Sequence, residues 1–212
     1  MPYSPNVNTT IMFLVRHAAT LNNVARPPKI QGQGEDVGLS QEGLRQAGET
    51  AQFLREQPID LAFSSPLARA METATVIAEP HGQKPEAVGP LIEVNVGRWE
   101  GRSWVDIERE EPDAYGRFIN DPATFGYAGG ENLMQVQQRV LPAVHQLLAA
   151  HVGQLILVVG HNVVNRVLLA TLLDVPLAKA RGIDQDNCGI NVIRMRNEQI
   201  KVLSTNVAFH LH

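Results

Sequence analysis

Short unbroken apolar runs alternate along this chain with stretches whose apolar residues recur every three or four positions. Ile11-Met12-Phe13-Leu14-Val15 and Leu155-Ile156-Leu157-Val158-Val159 are continuous runs, the pattern of strands buried on both faces of a parallel sheet. Ser40 is placed to cap a helix whose apolar positions Leu44, Ala47, Ala51 and Leu54 follow helical spacing. A second strand is predicted over residues 60–64. Ser65-Pro66 after it reads as the N-cap and first residue of a helix carrying Leu67, Ala70, Met71, Ala74 and Ile77, ended by Pro80 and Gly82. Residues 86–90 give a weaker strand pattern. A long helix is predicted over 132–150, with Leu133, Val136, Val140, Val144 and Leu147 inward and Pro142 as a point for a kink. Gly160-His161-Asn162 opens a helix rich in Val and Leu, and residues 190–195 and 200–203, joined around Arg196-Asn197-Glu198, form a closing hairpin.

Alternating strands and helices imply an α/β fold: a three-layer sandwich with a mixed, mostly parallel sheet of about six strands and helices on both faces. Residues 97–130 break the alternation. They hold both tryptophans, Trp99 and Trp104, several Gly and Pro, and two short helical patches. The expectation is one domain, 1–212, in which 97–130 form a lid insertion over the active-site end, with the tryptophans as packing residues.

Hydrophobic residues make up 44% of the chain and charged residues 19%, which supports a substantial core and argues against disorder. A net charge of −4 gives no electrostatic footprint for nucleic acid or an anionic membrane, so any anion site has to gather its positive charges locally. Cys188 is the sole cysteine; no intrachain disulfide can form, and a small buried residue is its simplest reading. The start, Met1-Pro2-Tyr3-Ser4-Pro5-Asn6, lacks the basic and apolar regions of a signal peptide. No apolar run approaches the roughly 20 residues that span a bilayer. The localisation expected is cytoplasmic.

Ligands of open α/β sheets bind outside the carboxyl ends of the strands, and the chemistry-bearing residues gather there. Arg16-His17 follows the first strand and His161 the strand ending at Val159. Arg69 lies in the first turn of the helix after the second strand, and Glu93 lies just after the weak third. Two arginines, two histidines and one carboxylate suit phosphoryl transfer, which depends on positioning and on stabilising charge spread over the equatorial oxygens. A neutral imidazole can attack phosphorus while its other nitrogen donates to a carbonyl. A carboxylic acid can protonate the leaving alkoxide and then, ionised, activate water. Glu100 is a rival to Glu93 for that part. His17 and His161 lack the close paired spacing of zinc motifs, and no metal or other cofactor is expected.

These segments resemble the histidine phosphatase superfamily, which includes the cofactor-dependent phosphoglycerate mutases. Leu14-Val15-Arg16-His17-Ala18-Ala19-Thr20, with Asn23 beyond, looks like its Arg-His-Gly signature. Ser64-Ser65-Pro66-Leu67-Ala68-Arg69-Ala70 matches its second arginine block, residues 91–101 its proton-donor block, and Gly160-His161 its second histidine block. The loop Gln31-Gly32, Asp36, Leu39-Ser40, Gly43 and Gln46-Ala47 is also similar in spacing. The resemblance runs through the whole chain in order. It implies that His17 is phosphorylated, that Arg16, Arg69 and His161 hold the phosphoryl group, that Glu93 is the acid/base, and that Asn23 is a further pocket contact. Ala18 stands where glycine is usual, so a positive φ is not expected there; Ala19 replaces a common Glu or Gln, and Asn162 a frequent glycine.

The reading is a phosphomonoester hydrolase acting on a small phosphorylated metabolite. A phosphoglycerate mutase is the first alternative, disfavoured by the short Gly97-Arg98-Trp99-Glu100-Gly101 form after Glu93, and a non-catalytic phosphate-ligand binder is the second. Neither nucleic acid nor membrane is an expected partner; a homodimer is left open. Arg98, Arg102 and Arg117 are ordinarily solvated, but an insertion roofing the site would bring one of them to a substrate carboxylate or second phosphate. The tail Asn206-Val207-Ala208-Phe209-His210-Leu211 resembles a family pattern and either folds back near the site or frays.

Overall fold

A computed structural model describes residues 7–211; the start read above for a targeting signal, residues 1–6, lies outside them. The two continuous apolar runs become β1 (Thr9–Arg16) and, after the long helix, β4 (Leu155–Gly160). Between them lie α1 (Leu21–Val24), α2 (Gln41–Leu54), β2 (Leu61–Ser64), α3 (Ala68–Ala78), β3 (Glu86–Ala87), α4 (Trp104–Glu110), α5 (Pro112–Asn120) and α6 (Leu133–Ala150). After β4 come α7 (Asn162–Leu172), a 3-10 segment (Leu177–Gly182), β5 (Ile190–Arg196) and β6 (Gln199–Val207). The sheet has six strands in the order β3-β2-β4-β1-β5-β6. The first four are parallel, and β5 and β6 add an antiparallel hairpin beside β1. The mostly parallel mixed sheet read from the sequence is the one observed.

Strand periodicity builds the three layers. Ile11, Phe13 and Val15 join one apolar cluster with Leu155, Leu157, Val159 and the buried faces of α2 and α3. Met12 and Leu14 point the other way, into a cluster with Ile156, Val158 and residues of α6 and α7. Trp99, Phe118 and Tyr127 of the irregular segment pack into that second cluster, with Trp104 partly buried against it. Trp99 stands edge-on to both Trp104 and Phe118 at 6.0 and 5.4 Å. The tryptophans are thus packing residues, though Trp104 also faces the pocket described below. No helix among the described residues is long and apolar enough to cross a membrane.

Several local expectations shift. The helix after β2 begins at Ala68 with Leu67 as N-cap, not at Ser65-Pro66; the Ser65 hydroxyl accepts from the Leu67 N–H at 3.3 Å and also pairs with His161. In α2, Ser40 is the cap, but Leu44 is 53% exposed. Ala47, Ala51 and Leu54 are buried as expected, and the place expected of Leu44 is taken by Gly43, where a Cβ would stand 2.0 Å from the Ala19 carbonyl oxygen. Along α6, Leu148 takes the fully buried place expected of Leu147, which packs at the core's edge. The helix runs as one element through Pro142, which lies on its exposed face. The third strand shrinks to two residues, since a 3-10 turn at Gly89–Leu91 follows at once. The tail docks on α2: Phe209 stands edge-on to Phe53, and the His210 ring stacks on Phe53 and shares a hydrogen bond with the Thr50 hydroxyl.

Candidate active site

Adjacent parallel strands lie about 4.8 Å apart, so equivalent residues at their ends become neighbours. Register places Arg16 beside Gly160. The next residue on each strand is a histidine, and the His17 and His161 ring centroids are 5.1 Å apart. Both rings are buried.

The His17 Nδ1 lies 2.7 Å from the Ala18 carbonyl oxygen. A carbonyl can only accept, so Nδ1 carries the proton and the lone pair sits on Nε2. Burial, reinforced by the charges of Arg16 and Arg69, holds this imidazole well below its ordinary value of 6.5. Ala18 does not have a positive φ. Its N–H donates to Thr73 Oγ1 (3.0 Å) and that hydroxyl to the Arg69 carbonyl (2.7 Å), joining the His17 loop to α3. The His161 Nε2 pairs with the Ser65 hydroxyl at 2.7 Å, while its Nδ1 is buried without a partner among the described residues. Burial, with His17 and the arginines adding to it, holds His161 low as well.

Arg16 donates to the Gln185 carbonyl at 2.5 Å, and Arg69 to the carbonyls of Gly32 (2.8 Å) and Glu35 (3.2 Å). The Nε atoms of both are buried and unpartnered among the described residues. Burial brings Arg16 down to about 10, which leaves it charged near neutrality. Gly32 is required for this approach: a Cβ would meet the Val94 carbonyl oxygen at 2.6 Å.

Glu93 is 3% exposed and sits at the N-terminus of α7. Its carboxylate accepts from the N–H groups of Val94 (2.9 Å), Val163 (3.2 Å) and Val164 (3.3 Å). Burial raises its pKa, and these bonds and Arg69 only partly offset that. Glu100, the rival carboxylate, instead accepts from Gly32 and Gly34 N–H at 2.6 and 2.9 Å and anchors the loop that holds Arg69. Glu93 lines the pocket and Glu100 does not. Asn23 lines it as well, its Oδ1 accepting from the Thr20 N–H at 3.0 Å.

All six residues expected from the sequence therefore converge at the carboxyl ends of β1, β2 and β4. Arg16, His17, Asn23 and Glu93 border a pocket of about 230 Å³, and Arg69 and His161 lie buried beside it. Among the described residues, no group of three or more His, Cys, Asp or Glu side chains could hold a metal ion.

Sequence reasoning missed the supports. Arg139 of α6 donates to the carbonyls of Pro90, Ile92 and Glu93 at 2.6, 2.7 and 3.1 Å and pairs with Glu131 at 2.9 Å, which also accepts from Asn95 N–H. This clamps the backbone that carries Glu93. Gln185, Asn191 and Asn165 form a buried amide network behind Arg16, tied to β1 through the Leu14 carbonyl. Nothing in spacing or composition marks these residues, since their partners lie far away along the chain. The insertion arginines are a correction: Arg98 and Arg102 are committed to Glu111 and Glu110, and Arg117 is exposed away from the pocket. The cations at the pocket wall are Lys29, Arg166 and Arg181 instead.

Comparisons agree with this geometry. The chain is 32% identical over 201 residues to phosphoserine phosphatase 1 of Hydrogenobacter thermophilus, covering 94% of this chain and 93% of that protein. A Yersinia pestis protein named Probable phosphoglycerate mutase GpmB is 33% identical over 180 residues, 85% of this chain and 82% of its own. The phosphoserine phosphatase of Entamoeba histolytica, solved in complex with phosphoserine, superposes with a TM-score of 0.85 at 25% identity, over 96% of this chain and 100% of that one. The profile of the histidine phosphatase superfamily (branch 1) matches residues 12–208. With that match across nearly its whole length and the two histidines side by side at the strand ends, this chain belongs to the histidine phosphatase superfamily.

Proposed function

We propose that this protein hydrolyses a small phosphomonoester in two steps through a phosphohistidine on His17, without a metal ion. The observation that carries the reading is the state of His17: neutral, with Nδ1 held by the Ala18 carbonyl and Nε2 left as the nucleophile. In the first step Nε2 attacks phosphorus and the ester P–O bond breaks. Arg16, Arg69 and His161 bind the phosphoryl oxygens through donors that no described residue occupies. Glu93 in its acid form gives its proton to the departing oxygen. In the second step the Glu93 carboxylate takes a proton from water, the hydroxide attacks phosphorus, the P–N bond breaks, and inorganic phosphate leaves with His17 neutral again.

Phosphoserine phosphatase activity in a relative and phosphoserine bound in a structural neighbour support a small phosphorylated metabolite as substrate. The similarity to GpmB supports a mutase as the second reading, in which the phosphoenzyme returns its phosphoryl group to a product.

The test is phosphate release from a panel of small phosphomonoesters in EDTA, with His17→Ala beside the wild type. Release by the wild type alone, without a bisphosphoglycerate primer, is expected. Interconversion of phosphoglycerates dependent on a primer would establish the mutase instead. Equal release by both proteins would remove His17 as nucleophile.

A further inference from the structure

The backbone that carries His17 is held one peptide unit at a time. In a trans peptide the C=O and N–H point opposite ways, so a partner at one end fixes the direction of the other. In the His17–Ala18 unit the carbonyl accepts from Asn187 Nδ2 at 2.8 Å and the N–H donates to Thr73 Oγ1 at 3.0 Å. In the Ala19–Thr20 unit the carbonyl accepts from the Ser40 N–H and hydroxyl at 2.9 and 3.0 Å, and the N–H donates to Asn23 Oδ1 at 3.0 Å. Both units are gripped at each end by groups other than the His17 ring.

The Ala18–Ala19 unit between them is different. Its carbonyl faces the imidazole itself, with Nδ1 at 2.7 Å, and has no other donor among the described residues. The group that aims this carbonyl is therefore the partner of the N–H at the other end, Gln46 Oε1 at 3.0 Å. Gln46 reaches it because Gly43, three residues earlier on the same face of α2, brings the helix up against the Ala19 backbone. The amide of Gln46 has one orientation open to it. The Ala19 N–H can only donate, so Oε1 faces it, and Nε2 donates to the Glu42 carboxylate at 3.2 Å. Glu42 is held in turn by two bonds from Arg45, at 2.9 and 2.5 Å.

We propose that Gln46 is a positioning residue for the nucleophile: by fixing the Ala18–Ala19 peptide it keeps the Ala18 carbonyl on Nδ1 and the lone pair of His17 on Nε2. The inference rests on the reading of His17 as nucleophile. Burial keeps the ring neutral, so two tautomers compete, and the acceptor facing Nδ1 decides between them. Without Gln46 the peptide can tilt away, and a proton that settles on Nε2 blocks attack on phosphorus. Gln46 itself touches neither the substrate nor a reacting atom.

The test is the 15N spectrum of the histidine side chains at neutral pH, where ring nitrogens with and without a hydrogen resonate far apart; His17→Gln identifies the His17 signals. The wild type is expected in the Nδ1–H form alone. Gln46→Met, of similar length but without an amide, should show a mixture with the Nε2–H form. Its kcat should fall about 10- to 100-fold, short of the roughly 10⁴ that follows outright loss of a histidine's orienting partner. The factor should be equal on alkyl phosphates and 4-nitrophenyl phosphate, which need the same nucleophile, and KM should change little. Gln46→Asn, one methylene short, should fall in between, and it carries the test if the Met variant does not fold. A His17 spectrum unchanged in the folded variants, whatever happens to kcat, would overturn the positioning role and leave hydrolysis standing. A lost tautomer in a protein whose wild type releases no phosphate would sink the hydrolase reading and keep the hold of Gln46 on His17. A lost tautomer with full turnover would remove His17 as the nucleophile.

Discussion

Burial moves the two central ionisable residues in the directions their proposed parts require. His17 is held low and so remains neutral into mildly acid solution, and Glu93 is held high and so keeps its proton to higher pH than an ordinary carboxyl. For an alkyl phosphate, kcat/KM corrected for substrate ionisation is expected to fall as pH rises through the Glu93 value, where the acid is lost. On the acid side it falls only below the depressed His17 value. Glu93→Gln should abolish the alkaline fall and lower kcat/KM on alkyl phosphates by about 10²–10⁴. On 4-nitrophenyl phosphate, whose leaving group needs no proton, the loss should be far smaller. Equal losses on both substrates would mean that Glu93 does not protonate the leaving oxygen. At this scale the sequence was informative: His17, His161, Arg16, Arg69 and Glu93 were legible because each follows a strand end, and Asn23 only through the family resemblance. Arg166 and Arg181 were not. Which arginines reach a pocket depends on which ones carboxylates such as Glu111 have already claimed.

Among elements, α6 does more than cover the sheet. Its Arg139, braced by Glu131, holds three successive parts of the backbone leading to Glu93. Arg139→Gln should let that loop drift. A displacement near 1 Å costs on the order of 100-fold in well-oriented catalysis, so kcat on alkyl phosphates is expected to fall about 10- to 100-fold with KM little changed. Arg139→Lys should recover part of the activity, and 4-nitrophenyl phosphate should suffer less. If both substrates lost activity equally, alongside a drop in melting temperature, the clamp would be structural only. Strands and long helices were legible because periodicity reports burial directly. Helix starts were less so: Ser65 has the chemistry of a cap, and its hydroxyl accepts from the Leu67 N–H while pairing with His161, yet α3 begins at Ala68. In α2, Ala47, Ala51 and Leu54 face inward as read and Leu44 alone does not, because Gly43, invisible to a hydrophobic pattern, makes the closest approach.

For the whole molecule, the buried site couples folding to pH. His17 and His161 titrate well below 6.5 when folded, so the unfolded chain binds more protons once pH falls below that value. Their stabilisation is complete above about 6.5 and is lost as pH drops toward the folded values. Each contributes a slope of about 1.4 kcal/mol per pH unit inside its window. Glu93, raised from 4.5, acts in reverse: it stabilises most below 4.5 and loses that contribution as pH rises to its folded value. Where the windows overlap, one of the two histidine slopes is offset. Chemical denaturation from pH 7 down to 4.5, a range that takes in the whole Glu93 window, should therefore show falling stability in the wild type and a larger total fall in Glu93→Gln. An unchanged or smaller fall in the variant would contradict a raised carboxyl. Apolar packing on both sides of the sheet was legible from the unbroken apolar runs of β1 and β4, whose successive side chains enter the two clusters in turn. The commitment of 97–130 to one of those clusters rests on ring contacts among Trp99, Trp104, Phe118 and Tyr127, between residues with no periodic relation.

The sequence by itself determined the α/β architecture, the ordered strand ends and five of the residues gathered there, because burial periodicity and the residues after each strand are local properties. Only the tertiary structure decided the tautomer of His17, the placing of Glu93 rather than Glu100 in the pocket, the Arg139–Glu131 clamp and the cations of the pocket wall. Each of these depends on hydrogen bonds or charges brought together from segments tens of residues apart, and the chain folds before such pairings exist to be read.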